Sequence, residues 1–84
     1  MNPRVQYVKY KQLHKLILTF TNGEVREFDM SGYLHYPVYS KLNDLAFCST
    51  AKVFMGTVVW DDETDFDPDI LYLESVPVNE QVHP

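Results

Sequence analysis

The chain has one cysteine, three glycines and no basic side chain after Lys52. Each shortage excludes something. With Cys48 alone, no intrachain disulfide can form, which fits a reducing cytoplasm. No CxxC is available, and His14, His35 and His83 show neither the HxxxH nor the HExxH spacing that sets zinc ligands side by side. They read as scattered surface histidines. Gly23, Gly32 and Gly56 are too far apart for a glycine-rich phosphate loop. No segment nears the roughly 18 apolar residues of a membrane span. The opening "MNPRVQYVKYKQLHK" lacks the apolar core of a secretory leader, so no membrane association is expected.

The composition is that of a folded protein. With 45% hydrophobic and 14% aromatic residues, there is too much apolar area for a disordered chain. At 84 residues the expectation is one small domain over residues 1–75, followed by an extended or frayed tail at 76–84. The net charge of −5 is unevenly spread: residues 1–60 hold seven basic and four acidic side chains, whereas residues 61–84 hold eight acidic and none basic. An acidic chain is poorly suited to neutralising phosphates, so no direct contact with nucleic acid is expected. Lys9, Lys11 and Lys15 read as solvated lysines guarding strand edges.

Periodicity outlines the fold. Residues 5–10 read as a first strand, and "KLILTF" (15–20) as a second, with Leu16, Leu18 and Phe20 on one face. Asn22-Gly23 signals a hairpin in which both residues take positive φ, and 24–30 returns as a third strand. Val25 and Phe28 fall on opposite faces there, which demands a bulge or two partly covered faces. Residues 31–36 read as a turn or short helical segment. Pro37 then opens a helix with Val38, Leu42 and Leu45 on one face. Residues 51–55 and 57–60 form a second hairpin around Gly56. Asp67-Pro68 caps and opens a short C-terminal helix anchored by Ile70, Leu71 and Leu73, and Val76 and Val78 could add a short strand. The class is α+β: a small antiparallel sheet comprising a three-strand meander, a helix, a second hairpin and a short C-terminal helix.

The chemical question lies in "WDDETDFDPDILYLES", where six carboxylates fall within nine residues, Asp61 to Asp69. A calcium loop numbered from Glu63 places acids at positions 1, 3, 5 and 12 (Glu63, Asp65, Asp67, Glu74). It fails at position 6, where the turn needs glycine and the chain has Pro68. General acid–base work needs a pocket that separates two carboxyl pKa values, and an open acidic loop in so short a chain leaves little room for one. Cys48 shows no partner base and reads as a buried small thiol. Neither a catalytic set nor a metal or cofactor site is expected. The candidates that remain are partner-binding residues: Asp61, Asp62, Glu63 and Asp65 in the acidic loop, and Tyr33, Tyr36 and Tyr39, since tyrosine is enriched at interfaces. The tyrosines serve equally well as a roof over the core. Two alternatives stay open. One is a metal-dependent or acid/base enzyme using Asp61, Asp62, Asp65 and a histidine; the other is a homodimer formed through an unpaired strand edge.

Taken in order, "LTFTNGEVREFDMSGYL", "PVYSKLNDLAF" and "VVWDDETDFDPDILY" resemble the bacterial family known as domain of unknown function 2442. The resemblance covers about residues 3–75. It implies the small α+β fold above and a non-enzymatic role, antitoxin-like or regulatory, with a small toxin-like protein as partner. The −8 of residues 61–84 makes a basic partner the natural complement. The family's glycine after the tryptophan is replaced here by Asp61-Asp62-Glu63, and no catalytic residues are carried over.

Overall fold

The computed structural model describes residues 2–78. Two antiparallel sheets share one core. The first runs in the order β1-β2-β3-β7, with β1 at Val5–Lys11, β2 at Lys15–Phe20, β3 at Val25–Asp29 and β7 at Val76–Pro77. The second is β4-β5-β6, with β4 at Lys52–Phe54, β5 at Thr57–Asp61 and β6 at Thr64–Phe66. The α+β class with a three-strand meander is therefore correct. The second hairpin is larger than expected, because β6 adds a third strand. Residues 79–84, including His83 and most of the expected tail, lie outside the described residues.

The period-2 pattern of β2 sets the inner face of the first sheet. Leu16, Leu18 and Phe20 are fully buried, each opposite an inward residue of β1: Tyr10, Val8 and Val5. The register slips by one residue between Val5 and Tyr7, so the bulge lies in β1. β3 pairs with β2 without interruption, bringing Phe28 and Arg26 inward and leaving Val25 on the outer face. The register conflict is thus resolved by an inward arginine. Arg26 Nε donates to Ser75 Oγ at 2.8 Å, its Nη2 donates to the Ser75 carbonyl at 2.6 Å, and its guanidinium lies 4.6 Å from the centre of the Tyr72 ring. A charge facing the core is tolerated when its donors are satisfied. Here the same bonds hold the chain after the last helix so that Val76 and Pro77 can pair with Glu27 and Arg26.

The turn at Asn22-Gly23 differs from the expected two-residue form. Phe20 N donates to Glu24 O, Gly23 N donates to Phe20 O, and only Gly23 has positive φ (+91°). This is a three-residue loop ending in a left-handed glycine, with the Asn22 carboxamide accepting from Glu24 N. The β1–β2 connection carried no glycine signal. It places Leu13 and His14 at φ +62° and +65°, held by Met30 N donating to His14 O and by the His14 ring on Leu42 O at 2.8 Å.

The helix expected from Pro37 is instead a 3-10 segment over Pro37–Asn43 followed by α1 at Leu45–Cys48. Asp44 breaks the run: its backbone is extended and its side chain caps α1 by accepting from Ala46 N. In a 3-10 helix side chains align every third residue. Tyr39 and Leu42 therefore face inward, and Val38 and Leu45, expected on the buried face, are exposed. The second helix, α2 at Pro68–Leu73, starts as expected, with the Asp67 side chain accepting from Asp69 N. Leu71 is buried, but Leu73 is exposed and Tyr72 packs against the core in its place.

The sheets meet through Phe66. Its ring lies 5.1 Å from Phe28, 5.3 Å from Tyr33, 4.4 Å from Tyr39 and 5.8 Å from Trp60, stacked on Tyr39 and near edge-on to Phe28, Tyr33 and Trp60. Trp60 is buried, and its indole N–H donates to Cys48 O at 2.8 Å. Cys48 is also buried, 3.6 Å from the Met30 sulfur, and burial pushes its thiol up to about 11, away from nucleophilic chemistry.

Candidate functional site

The acidic run is not an open loop. Asp61 pairs with Thr64, so Asp62 and Glu63 form the tip of a tight β5–β6 hairpin. The turn works without glycine because neither tip residue takes positive φ. The Asp61 side chain accepts from Glu63 N at 3.0 Å, the local bond through which aspartate favours turns. Regular alternation along β5 turns Trp60 inward and Asp61 outward, and a register slip between Val59 and Asp61 sets Asp61 rather than Trp60 opposite Thr64. Thr64 and Phe66 are buried and Asp65 is exposed, so β6 alternates in, out, in.

This hairpin is clipped to the 3-10 segment. Lys41 Nζ donates to Asp61 Oδ2 at 2.9 Å and lies 3.8 Å from Glu63 Oε1. The Lys41 bond, aided by the Glu63 N–H, lowers the Asp61 carboxyl to about 2, and the same bond raises Lys41. Among the described residues Asp62 and Asp65 have no ion-pair partner, and no three His, Cys, Asp or Glu side chains converge where they could hold a metal ion.

The tyrosines separate into two roles. Tyr33 and Tyr39 roof the core around Phe66 and stand 6.0 Å apart, ring to ring. Burial raises both hydroxyls, and nearby carboxylates add to the rise: Asp65 at Tyr39 and Glu74 at Tyr33. Tyr36 is about half exposed and rests against His35 at 4.1 Å. The two candidate sets thus lie around one strand, with the tyrosine roof on the inner side of β6 and Asp65 on its outer side.

Sequence reasoning passed over the residues that complete the outer side. Lys52, Val59 and Asp65 form one cross-strand row, and Phe54 lies opposite Thr57. Phe54 is 59% exposed and Met55, at the hairpin tip, 83%. A shallow groove of about 340 Å³ runs over this face, lined by Lys52, Phe54, Val59, Asp61, Asp62 and Asp65. Alternation along 51–55 signals a strand but does not say which of its faces water keeps.

The run of elements from β1 through the aspartate-capped α2 to β7 coincides with the span of a family model described as protein of unknown function (DUF2442), which matches residues 5–77. The chain belongs to DUF2442. The match runs from the start of β1 to the end of β7, so the β5–β6 hairpin and its acidic tip lie within the DUF2442 span. No curated protein and no solved structure matches the chain. Among the described residues no helix is long and apolar enough to cross a membrane.

Proposed function

We propose that this DUF2442 chain is a non-enzymatic protein-interaction module of the bacterial cytoplasm, antitoxin-like or regulatory, that binds a small basic protein of the toxin type. The observation supporting this is the stiff acidic hairpin. Asp61 is fixed by Lys41, while Asp62 and Asp65 project without compensating cations among the described residues. Fixed charge of one sign speeds encounter with an oppositely charged partner and selects against like-charged ones. The enzyme alternative has less support, because these carboxylates stand on an outer sheet face, with the Glu63 side chain 83% exposed. Co-expression with the protein encoded beside it tests the proposal. A complex that survives gel filtration at low salt and weakens as salt rises is expected. A neighbour that elutes separately at low salt contradicts it.

A further inference from the structure

We propose that the outer face of β4-β5-β6 is the docking surface, and that its occupant is a basic segment of the partner protein bearing an aliphatic or aromatic side chain. This rests on the partner-binding reading above and adds where and what. Tyr33 and Tyr39 are committed to the core through Phe66, so they cannot turn outward without opening it. The outer face of the second sheet has no such commitment. Phe54 and half-buried Val59 form the apolar part of this face, with Met55 exposed at the adjoining hairpin tip. Asp61, Asp62, Asp65 and Lys52 border this apolar strip; Asp61 is already paired with Lys41, which leaves Asp62 and Asp65 without an ion-pair partner among the described residues. Burying the strip favours an apolar side chain, and the uncompensated carboxylates favour lysine or arginine beside it.

Charge decides among occupants. A phosphate-rich surface is repelled by Asp62 and Asp65. A second copy would have to bring its own basic strip, yet there Lys11 and Lys15 already pair with Glu27, at 3.0 and 3.9 Å, and of the three lysines Lys9 alone has no ion-pair partner among the described residues. A separate basic segment meets neither obstacle.

The test uses the full chain labelled with ¹⁵N and a synthetic hexapeptide probe, with a Leu-Phe centre flanked on each side by one lysine and one arginine. A second hexapeptide with the same flanks and a Gly-Ser centre is the control. Amide shifts confined to residues 52–66 are expected, with weaker binding of the control. Phe54→Ala lowers affinity about tenfold. Asp62→Asn with Asp65→Asn removes most of the salt dependence, and Tyr36→Ala changes nothing. Because Phe54 is exposed, its variant keeps the parent fold, checked by the unshifted amides of β1 to β3. The proposal is overturned by shifts centred on Lys9 to Lys15 or on Tyr36, by equal binding of the Gly-Ser peptide, or by no shifts at about 1 mM peptide. A dimer mass in light scattering that Phe54→Ala abolishes overturns it too, since the occupant is then a second copy. If the neighbour-encoded protein binds Phe54→Ala as tightly as the parent, the docking face falls and the interaction module stands. If that protein never binds, the module reading itself falls.

Discussion

The two sheets turn different outer faces to water. On the first, Glu27 pairs with both Lys11 and Lys15, Lys9 has no ion-pair partner among the described residues, and Tyr7 and Val76 are exposed, so the face is lysine-rich. On the second, Phe54 and Met55 are exposed, and Asp62 and Asp65 have no partner among the described residues. Both inner faces feed a single core of Leu16, Leu18, Phe20, Phe28, Val58, Trp60 and Phe66, so the contrast is not a difference in folding. An apolar strip edged by unmatched carboxylates does nothing for the isolated fold, and the proposed docking surface rests on that strip.

Cutting the joint between the sheets has the largest effect. Phe66→Ala empties the ring cluster and should cost about 3–5 kcal/mol in urea unfolding, most of the stability expected of so small a domain. A cost below about 1 kcal/mol would mean the sheets do not depend on one another. On the first sheet, Arg26→Ala removes two charge-assisted bonds to Ser75 and should cost about 1.5–3 kcal/mol. Faster amide exchange at Val78, whose N–H donates to Val25 O, should accompany it as β7 detaches. Gly56→Ala tests the hairpin that presents Phe54. Gly56 has φ +83° and a Cβ there would come within 3.1 Å of the Arg4 side chain, so a loss of about 1 kcal/mol or more is expected, read as a lowered Tm. The smallest effect is the pH dependence of the acidic tip. The Asp61 carboxyl is lowered in the fold to about 2. Its contribution is therefore complete above the ordinary aspartate value near 4 and fades as pH falls toward about 2. The Tm difference between the parent and Asp61→Asn should close over that interval and stay flat from pH 5 to 8.

Features encoded locally were legible before the structure. β2 announces itself by strict alternation, and Asp67-Pro68 caps α2 because an acceptor and a preset φ suffice. Features set by tertiary contact were not. β6 lies in a run rich in aspartate, a poor strand former, and exists because Thr64 and Phe66 are drawn into the core beside β5. The spacing of Val38, Leu42 and Leu45 imitates an α-helix, but the contacts of Tyr39 with Phe66 and of His14 with Leu42 O accompany a 3-10 path with only Leu42 buried. The β1–β2 turn puts Leu13 and His14 in the left-handed region that glycine usually fills, leaving no residue type to read. The candidate site was half legible. Its acids stand out in the chain, but whether a tyrosine or Phe54 faces outward depends on which rings Phe66 recruits.

The most direct measurement pairs binding with stability for Phe54→Ala, using the basic Leu-Phe hexapeptide and the parent chain as reference. A Tm equal to the parent's and an affinity about tenfold weaker are expected. Unchanged affinity with an intact fold would contradict the assignment of the second sheet's outer face.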